Sequence, residues 1–256
     1  EINQYVPSKK YDDLILSSTS IDTYQSCPLK YRLSYEDKIP QSPNSPQMAF
    51  GSIIHAVLQN FHSSGKELTK NRILKILKDE WNSDEFDYVA REEKFYEQGK
   101  MILIEYVKRL GSIPPRVYST EHPFEFSLEK NIFIRGKIDR IDKDNDGYKV
   151  IDYKTSKTPT PAKKSIQLAI YCLYLAQSVD EAIKGIPSSS ELYFLRHIEE
   201  PVSSYSFDDD ELAKTKEIIM DIAKKIRNSE FEPIKGFHCD WCDYKHLLCP
   251  EWETNV

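Results

Sequence analysis

No apolar run in the 256-residue chain reaches the length of a membrane span, and no secretory signal opens it. Both absences point to a cytoplasmic place and no membrane partner. Cysteine is sparse: five residues, widely spaced, odd in number and without a signal sequence do not make a disulfide framework. Excess positive charge is missing too. A net charge of −6 argues against a broad basic nucleic-acid surface, although it allows a local one. No internal repeat is found. The chain begins with Glu1 rather than a methionine, which sets the expectation of a piece of a longer polypeptide.

Aromatic and aliphatic residues are plentiful enough for a core, in one large domain or two small ones. The most informative stretch runs from Arg135 to Thr155. Its halves, Arg135-Gly136-Lys137-Ile138-Asp139-Arg140-Ile141-Asp142 and Tyr148-Lys149-Val150-Ile151-Asp152-Tyr153-Lys154-Thr155, alternate apolar and polar residues, the period of a strand. Between them stands Asp144-Asn145-Asp146-Gly147, and Asp-Gly between alternating runs signals a hairpin. If Lys143 pairs with Tyr148, Asp139 falls across from Asp152, and Lys154 shares a face with Asp152. Two carboxylates side by side repel. A divalent cation between them removes the repulsion, and oxygen ligands suit Mg²⁺ or Mn²⁺. From the hairpin alone, a surface hairpin with solvated charges is an equal reading. Basic residues gather nearby: Arg135, Lys137, Arg140, Lys149, Lys154, Lys157, Lys163 and Lys164.

In chain order, residues 1–17 read as an extended lead-in. Ser17-Ser18-Thr19-Ser20 offers N-caps for a short helix through Ile21, Tyr24 and Cys27 that ends near Pro28. Tyr31, Leu33 and Tyr35 are expected to pack on the core. Residues 40–47, with three prolines, read as a loop. Helices are expected over 50–61, with Ile54, Leu58 and Phe61 inward and His55 beside that face, then over 70–81 and 91–110. Residues 117–128 alternate as a first strand, with Glu121 and Glu125 on one face. Ser165 caps a helix through Gln177 that places Gln167 and Tyr171 at i and i+4, with Cys172 as core filler. Residues 191–198 form another strand and 202–207 a short partner. Residues 208–227 form a long helix with an acidic start. The expected class is α/β, with helices, three strands, a helix and a strand in order.

Four cysteines remain: Cys27, followed by Pro28, and Cys239, Cys242 and Cys249 as Cys-x2-Cys-x6-Cys. Four thiolates hold either tetrahedral zinc or a [4Fe–4S] cluster. Either would tie the first helix to the last segment across a loop of about 220 residues, which loop-closure entropy makes strongly stabilising.

Gly51-x3-His55, Gly136-x-Ile138-Asp139-Arg140, Ile151-Asp152-Tyr153-Lys154-Thr155 and Gln167-x3-Tyr171, in that order, resemble the RecB-like branch of the PD-(D/E)XK nuclease superfamily. Asp152-Tyr153-Lys154 matches its (D/E)-x-K triplet. Ser18-x-Ser20, Cys27-Pro28 and the terminal cysteines resemble its iron–sulfur members, AddB-type nuclease domains and CRISPR-associated iron–sulfur nucleases. The resemblance spans residues 17–250.

It implies a restriction-endonuclease-like core, a mixed sheet in the order αβββαβ, with an N-terminal helical layer and a Cys-bound cluster clamping the two ends. The whole chain, 1–256, would be one nuclease domain: helical part 17–112, catalytic core 116–230, cluster segment 237–250. Asp139, Asp152, His55 and the carbonyl of Tyr153 would hold Mg²⁺ or Mn²⁺. Lys154 would position or activate water, and Gln167 and Tyr171 would line the site. Glu121 matches only loosely. Cys27, Cys239, Cys242 and Cys249 would hold the [4Fe–4S] cluster, with Zn²⁺ the alternative.

The implied activity is metal-dependent hydrolysis of DNA phosphodiesters by an exonuclease on single strands or ends, in repair or recombination. A helicase domain or subunit is an implied partner, and the C-terminal part of a helicase–nuclease is one arrangement this allows. The rival is a catalytically silent DNA-binding or scaffolding module on the same fold. A third reading, a zinc-stabilised interaction domain, leaves the facing aspartate and Asp-x-Lys unexplained.

Overall fold

The computed structural model describes residues 13–41, 45–63, 67–86, 88–111, 113–144 and 147–252. Residues 1–12 of the expected lead-in, part of the proline-rich loop and the tip of the hairpin, Asn145-Asp146, lie outside them. Two compact units emerge: one of Glu1–Pro43, Glu125–Gly136 and Asp209–Val256, the other of Asn44–Phe124 and Lys137–Asp208.

The first unit starts with a short strand, β1 (Leu14–Leu16), whose ends are buried. It runs parallel to the start of β3 (Ile132–Asp144), with Leu14 opposite Ile132 and Leu16 opposite Ile134. The sequence expectation missed this strand because three residues carry too little alternation to register, and the pairing partner lies far along the chain. Helix α1 (Ser18–Ser26) opens with the expected cap. Ser17 Oγ accepts from the Ser20 N–H at 3.1 Å while Ser20 Oγ accepts from the Ser17 N–H at 2.8 Å, so two orphan donors are satisfied reciprocally.

The chain does not stop being helical at Pro28. Cys27 breaks α1 with extended backbone, and α2 (Pro28–Tyr31) restarts at once, with proline at its first turn, where its missing N–H costs nothing. A π-helical turn, Arg32–Glu36, follows. Its winding places Tyr31 and Leu33 inside but leaves Tyr35 39% exposed, contrary to the expected packing of all three. Tyr31 stacks on Phe231 at 6.2 Å, and Tyr24 donates to the Glu230 carbonyl at 2.6 Å. Both tie the start of this unit to the chain beyond α7 (Asp209–Arg227), the long helix with acidic start and basic end that the dipole favours.

In the second unit α3 (Pro46–Ser63), α4 (Lys70–Glu80) and α5 (Val89–Leu110) share one apolar core. Phe50, Ile54, Leu58 and Phe61 join Ile73, Leu77, Leu103 and Tyr106, and the cluster reaches Ile151 and Tyr153 of the sheet and Leu195 in a turn just beyond it. Strand β2 (Arg116–Glu129) pairs with β3; β3 pairs antiparallel with β4 (Gly147–Lys154). Strand β4 then runs parallel to β5 (Ser189–Phe194), which pairs antiparallel with β6 (Val202–Tyr205). The parallel pair needs a crossover, and α6 (Ile166–Ala176) supplies it, capped by Ser165 Oγ accepting from the Leu168 N–H at 3.2 Å. The result is an α/β fold with a mixed sheet, consistent with a restriction-endonuclease-like core. Cys172 is fully buried beside Ser190, as filler should be.

Candidate active site

The hairpin register puts the charges where the alternation suggests. Lys143 pairs with Tyr148 and Arg140 with Ile151, and one further step sets Asp139 across from Asp152. At that step the Asp139 carboxylate takes the place of a backbone acceptor: its Oδ2 accepts the Tyr153 N–H at 2.8 Å. The two faces of the hairpin then part company. Asp152 and Lys154 face α6, whereas Arg140 and Tyr153 face α3–α5.

On the α6 side Asp152 is 1% exposed. Its Oδ1 accepts from the Tyr171 hydroxyl at 3.3 Å. Its Oδ2 lies 2.6 Å from Lys154 Nζ, a buried ion pair. Burial, with the Asp139 charge adding to it, pushes the Asp152 carboxyl up to about 6, against the pull of Lys154 and His55. Lys154 Nζ donates to Gln167 Oε1 at 2.8 Å, and Gln167 Nε2 donates to the Tyr171 hydroxyl at 2.7 Å. That hydroxyl donates to the Lys137 carbonyl at 2.9 Å. One turn of α6 thereby fixes both the ammonium and the strand that carries Asp139. Burial, with the charge of Asp152, keeps the Tyr171 phenol well above its ordinary range.

From α3, His55 Nδ1 lies 3.3 Å from Asp139 Oδ2. Burial works against charging its ring, but the hydrogen bond and charge of Asp139 outweigh that and raise its pKa. Gly51, one turn earlier, faces Thr155 so closely that a β-carbon would come within 3.3 Å of its Oγ1. The glycine lets α3 approach the end of β4 and bring His55 to the carboxylates. Glu121 of β2 comes to the same place with a left-handed backbone, φ 47°, which interrupts the alternation read across residues 117–128. Donor atoms of His55, Glu121 and Asp139 lie within 4.8 Å of one another. Asp152 is not in that tight set. Gly51, Ser52, His55, Ala56, Gln59 and Glu121 line an open cleft of about 440 Å³.

The opposite face holds a buried network that sequence reasoning missed. Arg140 Nη1 donates to the hydroxyls of Tyr106 at 2.6 Å and Tyr153 at 2.7 Å, and Nη2 meets Asp142 Oδ2 at 3.0 Å. Burial disfavours the guanidinium charge, and the oxygens of Tyr106, Tyr153 and Asp142 more than offset it. His62 Nε2 lies 2.6 Å from the Tyr106 hydroxyl and 3.0 Å from Arg140 Nη1. Burial, then the Arg140 charge, pull the imidazole down to about 3, so the ring is neutral and Nε2 accepts. Arg140 and Tyr153 each neighbour a site carboxylate in sequence, so this network grips the hairpin from behind. The available signal was an arginine and an aspartate at inward positions of an alternating strand.

In the first unit the four cysteines come together. Cys27, Cys239, Cys242 and Cys249 line one small cavity with Ile234, His238 and Lys245. Burial raises the Cys249 thiol, and the nearby Cys27, Cys242 and Cys239 add to the rise. None is in a disulfide. Lys245 Nζ sits 4.2 Å above the Trp252 ring at the rim.

The buried Asp152 carboxylate, the Asp139 carboxylate whose charge raises its pKa, and the His55 imidazole 3.3 Å from Asp139 form a set of oxygen and nitrogen donors that fits Mg²⁺ or Mn²⁺. Among the described residues no helix is long and apolar enough to cross a membrane. Among solved structures, SSO0001 is similar at 18% identity, covering 98% of this chain and 90% of that one, with a TM-score of 0.43. Protein VC1899 from Vibrio cholerae is similar at 11% identity, covering 83% of this chain and 56% of that one, with a TM-score of 0.27. Among curated proteins none matches. The model of the PD-(D/E)XK nuclease superfamily matches residues 15–250, a span that takes in His55, the hairpin, α6 and all four cavity cysteines, and the chain belongs to that superfamily.

Proposed function

We propose that this chain is a metal-dependent deoxyribonuclease that hydrolyses phosphodiester bonds at Asp139, Asp152 and Lys154. Membership of the superfamily makes nuclease activity the general class. The observation that carries the specific reading is the buried Asp152 oxygen beside Lys154, with Asp139 across the register. Asp139, Asp152, the Tyr153 carbonyl and His55 are the residues that would hold the cation. When bound, the cation makes water more acidic and offsets charge on the phosphate. Lys154 steadies the negative charge that grows on the phosphate oxygens and orients the attacking water. Gln167 holds the ammonium in place through its 2.8 Å bond, and Tyr171 keeps Asp152 and the Lys137 carbonyl in register. The open cleft beside His55 gives a strand a way in; exonuclease action on single strands or ends, in repair or recombination, is the finer reading that the RecB-like resemblance supports. A helicase domain or subunit that feeds such a strand fits the RecB-like resemblance.

The cysteine cavity belongs to the same reading, as a structural [4Fe–4S] clamp. Four thiols around one cavity, one from the start of the chain and three from its end, are the arrangement of the iron–sulfur members the sequence resembles, with Zn²⁺ the alternative.

The test is hydrolysis of end-labelled single- and double-stranded DNA with divalent cations removed by EDTA and then restored. Cleavage that returns with Mg²⁺ or Mn²⁺ and is lost in Asp152→Ala supports the proposal. An alanine variant that cuts as fast as the parent places the chemistry elsewhere. Binding without cleavage by the parent would make the chain a silent module.

A further inference from the structure

Resting on the nuclease reading above, we propose that a cleft between α5 and the turn after β5 is a subsite for one unpaired nucleotide of the substrate strand. Arg196 and Lys157 take its phosphate, and Met101 and Ile198 take the face of its base.

The cleft lies just past the lysine of the proposed site. Strands β4 and β5 run parallel with Lys154 paired to Phe194, and the Leu195 N–H donates to the Lys154 carbonyl at 3.0 Å. Arg196 therefore stands two residues past the partner of Lys154, and Lys157 three residues past Lys154 itself. At about 3.3 Å per residue both lie within roughly 10 Å of that lysine along the chain, a reach of about one or two nucleotides. The carboxyl ends of parallel strands are also where open α/β sheets take up ligands. The two segments are tied together. The His197 N–H closes the turn by donating to the Phe194 carbonyl at 3.0 Å, and His197 Nε2 donates to the Lys157 carbonyl at 2.5 Å. These bonds hold the backbone beneath both cations.

The lining combines cations with apolar surface. The cleft encloses about 350 Å³, near the small end of the range for ligand sites, which suits a nucleotide and not a duplex. Arg196 is partly desolvated, which pulls its pKa down, and no carboxylate among the described residues offsets that. The carboxylate that does line the cleft, Glu105, is taken by Arg109 at 3.1 Å and Lys108 at 3.4 Å. A guanidinium that has lost water without gaining an anion fits a phosphate, which it meets with two parallel N–H bonds. Met101 and Ile198, each 64% exposed, line the same cleft beside buried Ile102 and Leu195. Apolar surface next to a cation suits a base attached to a phosphate, because every base has a π-face to cover and a backbone charge to meet. Methionine adapts its shape, so the wall takes any base. A paired base is stacked between its neighbours and has no free face to offer, so the cleft selects single strands.

The experiment is fluorescence anisotropy of a short labelled oligothymidylate and of a duplex of the same length, in EDTA, where nothing is cut. Cleavage kinetics on single strands with Mg²⁺ run beside it. The parent is expected to bind the single strand more tightly than the duplex. Arg196→Ala should weaken single-strand binding at least tenfold, lower the salt slope by about 0.7, the value for one phosphate contact, and raise KM more than it lowers kcat. Arg196→Lys should restore part of the affinity, and Met101→Glu should weaken binding by a similar factor at unchanged circular dichroism. Lys184→Ala, which removes one exposed charge elsewhere, should bind as the parent does. Parental affinity and salt slope in Arg196→Ala overturn the subsite and leave the proposed nuclease standing if the parent cuts. Weak binding by Arg196→Ala with parental binding by Met101→Glu removes the base from the cleft and overturns the nucleotide assignment. Equal losses on single strand and duplex overturn the selection for unpaired bases. A parent that neither binds nor cuts DNA overturns both this inference and the reading beneath it.

Discussion

Asp152→Asn should make the cation-free protein more stable while abolishing its chemistry. The Asp152 carboxyl is buried beside Asp139, and its pKa is raised from 3.8 to about 6. In the folded chain it therefore keeps a proton that the unfolded chain has already released. Where the folded state binds more protons, stability falls as pH rises, so the loss accumulates between about pH 4 and pH 6 and is complete above that. At 1.36 kcal/mol per pKa unit, a rise of roughly two units costs about 3 kcal/mol at pH 8. Asparagine keeps the shape of the protonated acid and cannot ionise, so it avoids that cost. For a chain of this size about 2–4 °C per kcal/mol is expected, several degrees in all. The assay is thermal unfolding in EDTA at pH 8 and pH 4, parent against variant. The gain should be present at pH 8 and vanish at pH 4. Adding Mn²⁺ at pH 8 to 1,000 times its Kd should reverse the order, because ligand at that level stabilises the parent by about 4.1 kcal/mol. A variant no more stable than the parent in EDTA at pH 8, or equally stabilised at both pH values, refutes the assignment of Asp152 as a buried, cation-dependent carboxylate.

Three other outcomes follow from the same contacts. Lys154→Met should lose cleavage yet keep Mn²⁺ binding, with the pH midpoint of binding moved upward because Lys154 no longer favours the Asp152 carboxylate; calorimetry across pH 5–8 checks it. Arg140→Met should cost about 3–5 kcal/mol in urea unfolding, since it removes the buried ion pair to Asp142 and the donor that the Tyr106 and Tyr153 hydroxyls share, and a loss below about 1 kcal/mol would show that the network does not hold the hairpin. Anaerobically purified protein should be brown with absorbance near ~400 nm, and Cys249→Ser should bleach it and lower its melting temperature. Colourless protein with stoichiometric zinc would assign the cysteine cavity to zinc instead.

The hairpin was legible because its information is local. Two alternating runs around Asp-Gly fix a register, and the register alone decides that residues 139, 152 and 154 share a face. Gln167 and Tyr171 were legible for a similar reason, since four residues on a helix is one turn. The Ser17–Ser20 cap and the acidic start of α7 also announce themselves within a few residues. What stayed hidden depends on partners far along the chain. β1 exists because Leu14–Leu16 finds β3 more than a hundred residues later. The helical restart at Pro28 is local, but the inward set of Tyr31 and the outward set of Tyr35 depend on Phe231 and on the π-helical turn. His62 and Tyr106 read as ordinary members of amphipathic helices, and nothing in their own neighbourhoods shows that Arg140 lies between them and Asp142. Glu121 combined both difficulties. Its strand was readable, but a left-handed residue inside a strand has no sequence signature, so its turn toward His55 could not be foreseen.

The most direct measurement is anomalous scattering at the manganese edge from crystals grown with Mn²⁺. The account predicts density between the Asp139 and Asp152 carboxylates, on the side of the Tyr153 carbonyl and within reach of Lys154. Manganese bound only at surface acids, with nothing at Asp139 and Asp152, would contradict it.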